Sequence, residues 1–75
     1  MNNSRRLKLS ALQGKLVEIK EYIEEIKTDE EMAFDNMPEN LQGSQKGEES
    51  EEAIDYMDQA IDSIEEAIDS IDSII

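Results

Sequence analysis

Carboxylates are the main candidates for chemistry in this sequence. Of its 75 residues 20 are Asp or Glu, and none is His or Cys, so imidazole bases, thiol nucleophiles and the usual zinc ligands are absent. Adjacent acids such as Glu65 and Glu66 point apart on a helix. The sequence also lacks an Asp-x-Asp-x-Asp-Gly calcium loop and the Glu-x-x-His motif of di-metal bundles. We therefore expect no enzyme activity, no metal site and no cofactor.

Seven acids recur in steps of four and three toward the end of the chain. On a helix this spacing puts them on one face, over a length of about 32 Å. We call them the acidic stripe, which consists of Glu51, Asp55, Asp58, Asp62, Glu65, Asp69 and Asp72. They give one charge every ~5 Å, compared with one per ~1.7 Å of duplex DNA. The stripe either imitates nucleic acid toward a basic host protein or is a solvated face that keeps the helix soluble.

The formal net charge is −13 and is unevenly distributed. Residues 1–27 hold six basic and four acidic side chains, whereas residues 28–75 hold one basic and sixteen acidic ones. Nucleic acid and anionic lipid both require a basic footprint, so we expect no direct binding to nucleic acid and none to membranes. No apolar run reaches the ~18 residues of a membrane span, and charged residues interrupt every candidate signal sequence. These features predict a cytoplasmic protein.

Hydrophobic residues repeat every 3.5 positions in both halves of the chain, which is the period of packed helices. Many are Ile, which favours strands, but this period cannot bury one face of a strand. We assign heptad position a to Leu9 in the first half and to Ile54 in the second. The predicted seam, at positions a and d, consists of Leu9, Leu12, Leu16, Ile19, Ile23, Ile26, Ile54, Met57, Ile61, Ile64, Ile68 and Ile71.

The single Pro and two of the three Gly lie between residues 36 and 47, so the chain is predicted to turn there. The predicted single domain, residues 1–75, consists of helix one (about 4–35), a connection (about 36–47) and helix two (about 48–75). Asn36 is predicted to cap a short helical turn that ends at Gly43, and either Ser44 or Ser50 to cap helix two.

A short connection makes neighbouring helices antiparallel, so the fold class is all-α, an antiparallel helical hairpin resembling a coiled coil. Opposite charges at heptad position e specify the register. The expected contacts are Lys20 with Glu65, Lys27 with Asp58, and Gln13 with Asp72. Each exposed ion pair contributes only ~0.2–1 kcal/mol, so these pairs select the orientation more than they stabilise it.

A lone hairpin leaves its seam open to water, which monomers seldom tolerate. Ile at both a and d favours three or four strands over two, and Ala53, Ala60 and Ala67 at position g widen the apolar face as a bundle requires. The sequence therefore predicts a homodimer in which two hairpins form a four-helix bundle.

Residues near the turn allow further expectations. Glu30 is the one acid at a seam position, where such a residue more often marks a fraying seam or fixes the register than acts in catalysis. Phe34, Met37 and Leu41 are predicted to form an apolar plug under the turn. Alternatively, Phe34 and Met37 join Met32 and Met57 in an adaptable partner-binding patch.

Residues 35–69, DNMPENLQGSQKGEESEEAIDYMDQAIDSIEEAID, resemble small acidic proteins of unknown function from phages and prophages of Gram-positive bacteria. The NMPENLQGS connection is the most specific part. The resemblance implies a phage or mobile-element origin and assigns no activity to any residue.

Three functions are compatible with these patterns. The leading prediction is a non-enzymatic, self-associating protein–protein interaction module. The first alternative is an inhibitor that imitates nucleic acid and binds a basic host protein through the acidic stripe. The second alternative is a structural subunit that assembles through the seam.

Overall fold

Three helices make up almost the whole chain. The computed structural model describes all 75 residues, and its helices are α1 (Asn3–Asp35), α2 (Glu39–Gln42) and α3 (Gln45–Asp72), with no strand. The predicted helical hairpin is confirmed. The hairpin is 58 Å long and 14 by 12 Å across. Its radius of gyration is 17.1 Å, whereas a compact domain of this length would have about 11 Å.

The first helix is capped by Asn2, whose side chain accepts a hydrogen bond from the Arg5 N–H at 2.9 Å. It ends at Asp35, followed by Asn36, whose N–H donates to the Met32 carbonyl at 3.0 Å. The prediction that Asn36 caps the start of the next helical turn is therefore wrong. The backbone at Asn36 is still helical, with φ −83° and ψ −5°, whereas an N-cap requires an extended backbone.

The connection contains the predicted helical turn, α2, preceded by Pro38 and followed by Gly43. Ser44 then caps α3, with its hydroxyl oxygen 3.5 Å from the Gly47 N–H. Because Ser44 has the extended backbone of an N-cap, α3 begins at Gln45, three residues before the predicted start. Ser50 lies inside α3 and is buried, so it is not a cap.

Hydrogen bonds from one side chain and a close approach of two backbone segments define the turn. The Gln42 amide nitrogen donates to the carbonyls of Phe34 at 3.2 Å and Met37 at 3.1 Å, which ties α2 to the end of α1. A Cβ atom added at Gly47 would lie 2.0 Å from the Gln42 carbonyl oxygen. Only glycine therefore allows the first turn of α3 to approach α2 this closely.

The predicted polar contacts between α1 and α3 are confirmed. Lys20 Nζ is 3.6 Å from Glu65 and Lys27 Nζ is 2.5 Å from Asp58. The Gln13 amide donates to Asp72 at 2.6 Å and to the Ile68 carbonyl at 3.0 Å. These contacts establish the antiparallel arrangement and its register.

The seam inside one hairpin differs from the prediction on the α1 side. Helix α3 packs against α1 through its positions a and d, whereas α1 packs against α3 through its positions a and e. The d residues of α1 are therefore left open to solvent: Leu12 is 51% exposed, Ile19 47% and Ile26 58%. The physical reason is that the e side chains of α1 reach acceptors on α3, which rotates α1 toward its e side. Only Ile61, at 8% exposed, is a buried hydrophobic residue.

The plug under the turn is partial. Phe34 and Met37 are half-buried, whereas Leu41 is exposed. Met32, part of the alternative patch, is also exposed, and Met57 is half-buried in the seam. Met32 is therefore the one member of the alternative patch that is exposed, and the other three are half-buried.

Candidate functional site

One side of the hairpin is an apolar surface. The e positions of the two helices meet on one side of the seam, so d of α1 and g of α3 lie together on the opposite side. We call this surface the apolar face, which consists of Leu12, Ile19, Ile26, Ala33, Ala53, Ala60 and Ala67. All are exposed except Ala60, which is half-buried. Tyr22 and Tyr56, at 64% and 62% exposed, flank it on either side.

Charged residues at position g of α1 line the same edge as Tyr22. Lys8 and Lys15 precede Tyr22 along the helix, and Asp29 follows it. All three charged side chains are exposed and make no ion pair within the chain, since every ion pair involves Lys20 or Lys27. The apolar face therefore has free cations toward the chain termini and a free carboxylate toward the turn.

The acidic stripe occupies the opposite side of the hairpin. Three of its members contact α1, since Asp58 and Glu65 pair with lysines and Asp72 accepts from Gln13. The other four members are Glu51, Asp55, Asp62 and Asp69. Their side chains are exposed and make neither an ion pair nor a hydrogen bond. The structure thus places the acidic stripe on one side of the hairpin and only three predicted seam residues, Leu12, Ile19 and Ile26, on the apolar face. The other nine seam residues lie between α1 and α3, where they are buried or half-buried.

A shallow groove of about 270 Å³ crosses the acidic side near the turn. Phe34 and Ile54 provide its apolar lining, and its four carboxylates are Glu31, Asp35, Glu51 and Asp55. A lysine or arginine side chain fits this chemistry, because its stem is apolar and its tip is cationic.

Lys27 is the cation that the acidic side holds most closely. Its hydrogen bond to Asp58 raises the pKa of Lys27 above the usual 10.5; desolvation opposes this rise, and the charges of Asp58, Glu31 and Glu24 add to it. Lys27 Nζ is also 4.0 Å from Glu31. Lys27 therefore links acids of both helices.

Glu30 turns inward, as its seam position predicts, and accepts a hydrogen bond from the Ser50 hydroxyl at 2.6 Å. Ser50 is only 5% exposed, so this bond satisfies a hydroxyl that would otherwise be buried without a partner. The sequence contains a signal for this pair. Counted from Leu9 and Ile54, Glu30 falls at position a of α1 and Ser50 at position d of α3, and both lie near the turn.

No group of three acids lies close enough together to hold a metal ion. No helix combines the length and the apolar character that crossing a membrane would require. Comparison with protein-family models, with curated proteins and with solved structures finds no match to this chain.

Proposed function

We propose that this protein is a non-enzymatic interaction module that self-associates. Two copies pack apolar face against apolar face to form a four-helix bundle. The observation that carries this proposal is the exposure of Leu12, Ile19 and Ile26 on one continuous face, in a chain with a single buried hydrophobic residue. Covering the exposed half of each such side chain contributes about 1 kcal/mol.

The total surface of the hairpin supports the same proposal. One chain of 8.6 kDa exposes 5590 Å², whereas a compact monomer of that mass exposes about 4700 Å². The excess of about 900 Å² is close to the ~800 Å² that each partner buries in a standard interface. A second copy on the apolar face would bring the exposed surface per chain close to that of an ordinary globular protein.

Light scattering across micromolar concentrations tests the proposal. We expect a mass twice that of the 8.6 kDa chain, and we expect Ile19→Glu to give monomers. The matched control is Ala11→Glu, which adds the same charge to an exposed position on the outer side of α1 and should leave the dimer intact. A stable wild-type monomer would contradict the proposal, and a mass above that of a dimer would favour the structural-subunit alternative.

A second candidate function is imitation of nucleic acid toward a basic host protein. Asp55, Asp62 and Asp69 support it, because they are exposed and no cation of this chain neutralises them. The groove beside Asp55 adds a place where a basic side chain fits. In a dimer that buries the apolar faces, both acidic sides face outward. The resemblance of residues 35–69 to phage proteins is our reason to include a mobile-element origin and a host partner in this candidate.

The test of this candidate is the salt dependence of a co-purified host protein. Binding should weaken steeply as the Debye length shortens from about 10 Å at 0.1 M salt to about 3 Å at 1 M. Replacing Asp55, Asp62 and Asp69 together by Asn should abolish it. The control replaces Glu18, Glu21 and Glu25, three exposed acids on the outer side of α1, by Gln. Equal losses in both triple variants would indicate a response to net charge alone and refute a specific stripe.

A further inference from the structure

We infer that the two copies pack antiparallel, with α1 against α1 of the partner and a two-fold axis level with Ile19. The turn of one hairpin then lies beside the chain termini of the other. This inference rests on the proposed self-association and specifies its geometry. The alternative is a parallel dimer, with both turns at the same end and α1 stacked on α3 of the partner.

The large side chains of the apolar face and its α3 alanines share one centre along the hairpin. On α1 its large side chains are Leu12, Ile19 and Ile26, evenly spaced about Ile19, and on α3 its alanines are evenly spaced about Ala60. The hydrogen bonds from Ser50 to Glu30 and from Gln13 to the Ile68 carbonyl set the hairpin register. By that register Ile19 lies level with Ile61, about 1.5 Å along the axis from Ala60. A single two-fold axis at this level can therefore place the large apolar residues of α1 opposite those of α1 in the partner, and the alanines of α3 opposite those of α3 in the partner.

Net charge distinguishes the two arrangements. The level of Ile19 and Ile61 divides the hairpin into two halves. The half that contains the turn, residues 20–60, holds 14 acids and 3 bases, a charge of −11. The remaining residues hold 6 acids and 4 bases, a charge of −2. A parallel dimer would stack two −11 halves at a helix spacing of about 8–10 Å, which is no longer than the Debye length. An antiparallel dimer stacks each −11 half on a −2 half.

The free charges along the edge of the apolar face complement each other in the antiparallel arrangement. With Ile19 opposite Ile19 of the partner subunit, Lys8 lies beside Asp29 of the partner subunit. Lys15 lies beside Tyr22 of the partner subunit, where a cation–π contact is available. In the parallel arrangement the same lysines would lie beside Ser70 and Ser63 of the partner subunit, and neither serine carries a charge. Charge complementarity therefore favours the antiparallel dimer.

Disulfide formation between single-cysteine variants tests the orientation, because the chain has no cysteine of its own. We expect Ile19→Cys to cross-link with itself. Leu12→Cys mixed with Ile26→Cys should also cross-link, whereas neither should do so alone. Cross-linking between Ile19→Cys and Ala60→Cys, with none in Ile19→Cys alone, would overturn the antiparallel arrangement. A wild-type chain that is monomeric by light scattering would instead refute the proposed self-association, so the two failures are distinguishable.

Charge reversal gives a second measurement that does not depend on cysteine chemistry. The Kd of the dimer should rise about threefold to tenfold for Lys8→Glu and for Asp29→Lys, since two exposed pairs are lost in each symmetric dimer. The double variant should restore the wild-type Kd. Arg6→Glu makes the same charge change away from the apolar face and serves as the control. A double variant as weak as the sum of its parts would overturn the predicted Lys8–Asp29 contact.

Discussion

The same substitution at two glycines should change stability in opposite directions. At Gly47 an added Cβ would lie 2.0 Å from the Gln42 carbonyl oxygen and 2.5 Å from its carbonyl carbon. Ordinary van der Waals contact begins at 3.4 Å, so the backbone of α2 or α3 must move by about 1.4 Å, the difference between the two distances. At Gly14, in the exposed middle of α1, an added Cβ has no atom within 4 Å.

These distances set the expected change in melting temperature for each variant. Overpacking of a tight contact costs about 1–3 kcal/mol, and here the obstructing atoms belong to the backbone, which yields less readily than a side chain. Gly47→Ala should therefore lower the melting temperature by roughly 5–20 °C, since 1 kcal/mol corresponds to about 4–8 °C at this size. Gly14→Ala should raise it by about 4–8 °C, because alanine favours a helix interior by about 1 kcal/mol over glycine.

Thermal unfolding followed by far-ultraviolet circular dichroism measures both changes. Both variants and the wild type must be compared at one protein concentration, because association shifts the apparent stability. The two alanines have equal helix propensity, so a difference in sign isolates the contact with Gln42. If Gly47→Ala raised the melting temperature as Gly14→Ala does, the close approach of α2 and α3 would be refuted.

Two further predictions concern the contacts between α1 and α3. Ser50→Ala should lower the free energy of unfolding, measured by urea titration, by about 1–3 kcal/mol, because Glu30 loses its hydrogen-bond donor inside the seam. Adding Glu30→Leu to this variant should recover most of that loss. No recovery would show that Ser50 acts through packing alone. Because the pKa of Lys27 is raised in the folded state, its contribution to stability should be complete below pH 10.5 and lost as the pH rises through that higher pKa. The melting temperatures of wild type and Lys27→Gln should therefore converge above pH 10.5. A constant difference between them would contradict the ion pair with Asp58.

The sequence was sufficient to predict the helices and their register. A period of 3.5 identifies both helices, and oppositely charged e positions are informative because Lys20 and Lys27 each have one acidic residue within reach on the antiparallel neighbour. The rotation of α1 about its own axis was not predicted. Positions d and e differ by about 100° on a helix, and apolar d residues such as Ile19 favour a rotation opposite to the one that long polar e side chains require. The hydrophobic pattern alone cannot decide between them.

Local backbone geometry near the turn was also beyond the sequence pattern. Asn36 and Ser44 are both residues that favour N-caps, but Asn36 continues α1 and only Ser44 has the extended backbone. Gly47 reads in sequence as one more turn residue, whereas its role depends on how close α2 lies to α3. That distance depends on the tertiary contacts of Gln42, which no local pattern encodes.

The near absence of a dry core has a consequence for how the protein could be regulated. Only 3 of the 75 residues are buried, so an isolated hairpin has little to offset its conformational entropy. In the proposed dimer the folded fraction then rises with the amount of protein made, because association and folding share one equilibrium. Newly made chains at low abundance would be open to proteases, whereas chains above the dissociation constant would accumulate. Self-association would thus give the cell a threshold, below which synthesis of this protein produces no lasting activity.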